Sequence, residues 1–201
     1  MKPYNPLDKE NLGASIANAL IAQPICALPP EVFTGAGIYA LYYTGSFLVY
    51  NKLCEANKDG QFRCPIYVGK AVPNGARKGG ICLSIGPSKT LYQRLVDHSK
   101  SIISANNLDI NDFYCRFLVL DDIWISLAES ILLERFKPIW NVILDGFGNH
   151  NPGSGRWSGK MSPWDCMHPG RSWTINLQPC SISKCELVVS ASNYLFQMLS
   201  Q

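Results

Sequence analysis

Apolar residues gather in three short runs, at 37–43, 65–70 and 113–120, and recur at helical spacing elsewhere. The runs are dense in aromatic and β-branched residues and end in turn-forming stretches, so each predicts a strand. Leu12, Ile16 and Leu20 stand four apart and predict an amphipathic helix over 8–22, with Asp8 able to cap it and Pro24, Pro29 and Pro30 beyond its end. A helix over 47–57 and an Asp59-Gly60 turn separate the first two strands, which can then pair antiparallel. Ser88 caps a helix reaching about residue 106. Asp121 or Asp122 caps the next, which Pro138 stops because proline cannot continue the ladder. After Asn141 the texture turns polar and glycine-rich, and residues 184–200 fit strand or helix, with helix favoured.

Within this pattern a few residues are out of place. Gly37-Ile38-Tyr39 and Tyr67-Val68-Gly69 each set a tyrosine beside a glycine inside a strand, where glycine weakens the strand unless something must approach the backbone closely. On the 121–137 helix, Ser126, Ser130, Glu134 and Lys137 form the solvent face, whereas Glu129 projects among Ile125, Leu132, Leu133 and Phe136, all within about 60° of its direction. A carboxylate so placed is paired, with Arg94 as the candidate, or ligates a hard cation such as Mg²⁺. Arg94 and His98 lie four apart on one helix, where a guanidinium and an imidazole can meet the same phosphate.

Composition adds bounds. The 201 residues suit one domain spanning 1–201, and the 47% apolar share is ample for a core. No stretch approaches the roughly 20 apolar residues of a membrane helix and the N-terminus carries no apolar leader, so a soluble, cytoplasmic protein is expected. Charge is segregated: seven cations (Arg63, Lys70, Arg77, Lys78, Lys89, Arg94 and Lys100) face one acid, Asp97, over 63–100, and the balance reverses over 101–134. Such a segment is either a solvated face or a nucleic-acid contact. The eight cysteines form no C-x-x-C pair and read as reduced thiols, or, for Cys166, Cys180 and Cys185 with His168, as a zinc site of unfamiliar spacing.

Taken in chain order, the two tyrosine-glycine strings, Arg94, His98, Glu129 and Asn141 resemble the catalytic domain of the GIY-YIG nucleases. The resemblance implies an α+β core over 35–145, a small three-stranded antiparallel sheet flanked by helices. Residues 1–34 then form an N-terminal helical extension, residues at about 45–63 an insertion, and 146–201 a DNA-contacting loop and C-terminal extension. It further implies a catalytic set of Tyr39, Tyr67, Arg94, His98, Glu129 and Asn141, with one Mg²⁺ per active site held by Glu129. Tyr39 would be the general base, with His98 or Lys70 as alternatives. Arg94 would stabilise the pentacovalent phosphate, Tyr67 would orient water or phosphate, and Asn141 would brace the metal shell or substrate backbone.

The strings GAGIYALYY, YVGKA, DGFGNHNPGSGR and WDCMHPGR are similar to the type II restriction enzymes of this class that cut CCGCGG, the isoschizomers of SacII. That likeness implies double-stranded DNA as substrate and a homodimer on a palindromic site. Lys70, Arg77, Lys78 and Lys89 are the candidate phosphate contacts. Arg156 and Arg171, on glycine-containing loops, are candidate guanine readers, with Asn149, His150 and Asn151 as secondary donors; the alternative is that these loops only pack the C-terminal segment. Two rivals remain: a structure-selective repair or homing nuclease, and a catalytically silent DNA-binding protein.

Overall fold

A computed structural model describes residues 5, 7–73, 88–153, 155 and 157–200. Its elements run α1 (Lys9–Ile21), β1 (Cys26–Ala27), β2 (Gly37–Tyr43), α2 (Asn51–Asn57), β3 (Tyr67–Ala71), α3 (Thr90–Ser104), β4 (Phe113–Val119), α4 (Asp122–Phe136), α5 (Ile139–Val142), α6 (Pro163–Met167) and α7 (Lys184–Leu199). The sheet is antiparallel in the order β1-β4-β2-β3, so it has four strands where the periodicity predicts three. The addition is β1, two residues paired with Tyr114 and Cys115 of β4, too short to show a period. Among the described residues no helix is long and apolar enough to cross a membrane.

β2 is buried at every position because it is the strand between β4 and β3 and both of its faces are covered. Tyr39, Leu41 and Tyr43 point to one side, into a cluster with Leu91 and Leu95 of α3, Trp140, Phe147, Trp164 and Leu187. Ile38, Ala40 and Tyr42 point to the other, against Ala17 and Leu20 of α1 and Ile125, Ala128 and Leu132 of α4. The glycine-rich segment after Asn141 therefore does more than cover the surface: Phe147, Trp164 and Met167 belong to the main core.

A directional chain of hydrogen bonds ties the segment between β2 and β3 to this C-terminal part. Trp140 Nε1 donates to Tyr50 Oη (2.8 Å), Tyr50 pairs with His168 Nε2 (2.6 Å), and His168 Nδ1 pairs with Asn107 Oδ1 (2.9 Å). Both ring nitrogens of His168 are thus engaged. The zinc reading of Cys166, His168, Cys180 and Cys185 is corrected on that ground, and among the described residues no metal-ligating cluster of three exists. At the other end of the fold, α7 settles the helix-or-strand ambiguity, opening on a capping box in which Ser183 and Glu186 satisfy each other's backbone N–H.

Candidate active site

The two strand glycines are explained by what presses on them. In the β2/β3 register Tyr39 faces Gly69, and a Cβ there would lie 2.6 Å from Tyr39 Cζ. Gly37 lies against the carbonyl oxygen of Leu118, which a Cβ would strike. With no side chain at 69, the Tyr39 phenol lies across β3 and reaches α3, where its Oη is 2.5 Å from His98 Nε2.

This pair is sealed: Tyr39 is 0% and His98 2% exposed. Phe147 stacks on the imidazole at 4.4 Å between centroids, and Tyr67 meets its edge at 5.3 Å. Burial pushes the Tyr39 phenol well above its ordinary range, Tyr67 adds to the rise and Arg94 opposes it. Burial likewise pushes His98 well below the usual histidine value, with Arg94, His150 and Arg171 adding to the depression. Both groups are therefore neutral at pH 7 and share a single hydrogen bond between Tyr39 Oη and His98 Nε2.

β3 is the edge of the sheet, so side chains from both of its faces meet beside it. Tyr67 lies on the His98 side, while Lys70 shares its face with Val68 and reaches α4. An open cleft of about 820 Å³ forms there, lined by Tyr67, Lys70, Lys89, Arg94, Glu129 and His150 among others. Glu129 is 20% exposed and pairs with Lys70 at 2.9 Å, so the expected pairing with Arg94 is corrected: Arg94 approaches from α3, on the opposite face of the sheet. Glu134 sits on the solvent face and pairs with Lys9 of α1. Arg94 instead donates through Nη1 to His150 Nε2 (2.5 Å) and through Nη2 to the carbonyl of Gly148 (3.1 Å).

The other sequence candidates are scattered around this cleft or away from it. Asn141 commits its whole amide to the main chain of Val68, accepting from N–H and donating to C=O, each at 2.9 Å, and so takes the place of a neighbouring strand on the outer edge of β3. It holds the strand between Tyr67 and Gly69 and does not face the cleft. Arg171 is corrected as a guanine reader: it is 5% exposed, and Nε, Nη1 and Nη2 are spent on Asp165 and on the carbonyls of Gly146, Phe147 and Asn149. Asn149 and Asn151 are exposed beside the cleft, and His150 lines it. Arg77, Lys78 and Arg156 lie outside the described residues.

The residues missed from sequence are Phe147, which stacks on His98, and Gly148, whose carbonyl accepts from Arg94. Their only signal is an aromatic residue and an ordered pair of glycines in a segment otherwise composed like solvent-exposed loop.

Both carboxylates of the cleft are ion-paired, Glu129 with Lys70 and Asp97 with Lys100, so a hard cation held by Glu129 would have to displace Lys70. One carboxylate with water and phosphate oxygens is how Mg²⁺ is usually held.

No curated protein matches the chain. The model of one family, described as the Eco29kI GIY-YIG domain, matches residues 31–195, which takes in every described element of the cleft. On that match over most of its length, the chain belongs to the GIY-YIG nuclease domain family.

Proposed function

We propose that the protein is a cytoplasmic, homodimeric type II restriction endonuclease that hydrolyses both strands of duplex DNA at a palindromic G·C-rich site, CCGCGG, with one Mg²⁺ per active site. One observation carries the reading. A neutral tyrosine-histidine pair, Tyr39 and His98, lies directly behind a cleft in which Tyr67, Arg94, Lys70, Lys89 and Glu129 converge.

Phosphodiester hydrolysis forms a bond from water oxygen to phosphorus and breaks the bond to the 3′ oxygen. The water's proton passes to Tyr39 Oη as Tyr39 gives its own proton to His98 Nε2, so no buried phenolate accumulates; the imidazolium, which burial disfavours, then returns its proton to solvent while the departing 3′ oxygen takes one from water. This relay reconciles a tyrosine base with a phenol that burial holds protonated. Arg94 leaves Gly148 and His150 for the non-bridging oxygens, where its planar fork stabilises the pentacovalent charge, and its departure uncovers Tyr39. Tyr67, with its hydroxyl at the cleft wall, orients phosphate or water. Mg²⁺, when bound, neutralises charge on the phosphate and the departing 3′ oxygen. Glu129 would hold it, releasing Lys70 to the DNA backbone beside Lys89. Arg77, Lys78 and Arg156 remain candidates for the same contacts. A palindrome is matched by a two-fold dimer with one cleft per strand.

The test is incubation of the purified protein with plasmid and Mg²⁺, followed by sequencing of fragment ends. Ends confined to CCGCGG support the proposal. Cutting only at branched or single-stranded junctions supports the structure-selective reading, and binding without cutting supports the silent one.

A further inference from the structure

Arg171 and Asp165 form a buried pair, 4% and 1% exposed and 2.6 Å apart, that the catalytic scheme leaves unused. Burying such a pair is costly unless every remaining donor and acceptor is satisfied, and here they are. Asp165 Oδ2 accepts from Ser162 Oγ at 2.7 Å, and the guanidinium is sandwiched between the rings of Trp164 and Trp173 at 4.6 and 4.8 Å. Arg171 then donates to three carbonyls of one loop: Gly146 at 3.0 Å, and Phe147 and Asn149 at 3.1 Å each. That loop carries the Phe147 ring that seals His98 and the Gly148 carbonyl and His150 imidazole that hold Arg94.

We infer that Arg171, oriented by Asp165 and Ser162, is a positioning residue that fixes residues 146–150 and, through the Phe147 ring stacked on the imidazole, sets the geometry of His98. The inference rests on the nuclease reading for its effect on rate. It makes Arg171 a residue of turnover and not of base recognition. Displacing a reacting group by about 1 Å can cost on the order of 10²-fold in rate, so the effect belongs in kcat.

The test compares wild type with Arg171→Lys, which keeps the charge beside Asp165 but cannot span three carbonyls. Ser162→Ala is the milder partner, removing the hydroxyl that orients Asp165 and caps α6, and it serves if Arg171→Lys does not fold. Arg171→Lys should lower kcat on plasmid about 10- to 100-fold, with KM and sequence preference within about twofold of wild type. Ser162→Ala should move in the same direction by a few fold. A second readout needs no catalysis: the imidazole of His98 is followed by NMR against pH in the metal-free protein. The groups facing it are Tyr39 of β2, Tyr67 of β3, Arg94 of α3, and His150 and Arg171 from the C-terminal part. Loosening Phe147 admits water, so the His98 titration should move up in pH in both variants. A raised KM or relaxed base preference at unchanged kcat would overturn the inference in favour of DNA reading. A lower melting temperature with kcat and the His98 titration unmoved would overturn it in favour of simple stabilisation. If wild type cuts no DNA, the nuclease reading fails, and the His98 titration alone decides whether the loop is held as inferred.

Discussion

Acidification should destabilise the fold through His168 by an amount that can be worked out. Burial lowers His168 to about 3, and Lys184 adds to the effect. The neighbouring bonds give the same direction: a chain running Trp140 N–H to Tyr50, Tyr50 O–H to His168 Nε2 and His168 Nδ1–H to Asn107 works only for a neutral ring. In the unfolded chain the imidazole titrates near 6.5. Between 6.5 and 3 the unfolded state therefore holds the extra proton, and stability is complete above about 6.5 and is lost as pH falls toward 3. From pH 7.5 to 5.5 the loss from this one residue is on the order of 1 kcal/mol. His98, depressed in the same direction, adds a loss of the same sign. Urea unfolding followed by tryptophan fluorescence at the two pH values, in wild type and His168→Gln, isolates the term: the wild type should lose on the order of 1 kcal/mol more than the variant. Equal losses would refute a neutral, chain-bonded His168.

Arg94→Ala should lower the cleavage rate about 10²- to 10³-fold, the scale for one preorganised charge-stabilising donor, and single-turnover cleavage at saturating DNA would measure it. Gly69→Ala pushes a Cβ into the Tyr39 phenol; overpacking of that kind costs about 1–3 kcal/mol, and both urea stability and cleavage should fall, whereas unchanged activity would remove the Tyr39–His98 contact from the mechanism. Lys89→Ala should weaken binding to all sequences alike and flatten the salt dependence by about one unit of slope, measured by titration across ionic strengths.

Much of this arrangement is visible in the residue pattern, for reasons that differ by element. β2, β3 and β4 announce themselves by composition, and α3 and α4 fall within a few residues of their predicted spans through apolar periodicity and, for α4, the stop at Pro138. Their capping differs from expectation: the N-cap of α3 is Lys89 and not Ser88, and neither Lys89 nor Asp121 before α4 forms a side-chain cap hydrogen bond. The strand glycines are legible as points of close approach because a glycine inside a strand has few other uses. The helical period likewise separates Glu129 from Glu134, since period alone decides which side of α4 each occupies. Partners are a different matter. Lys70 and Glu129 are 59 residues apart, and only the edge position of β3 makes them neighbours. Arg171 misleads because an arginine after His-Pro-Gly looks like an exposed loop cation, and nothing local reveals that Asp165 and three carbonyls enclose it. β1, α5 and α6 are shorter than the windows in which a period can be counted.

The most direct test of the account pairs Glu129→Gln with Glu134→Gln on supercoiled plasmid in Mg²⁺, with DNA affinity measured in parallel. Glu129→Gln should abolish cleavage while leaving binding near that of wild type, because it removes the hard-cation ligand of the cleft and barely alters shape. Glu134→Gln, on the solvent face, should cut like wild type. Equal cleavage by the two variants would contradict the assignment of the cleft as the catalytic centre.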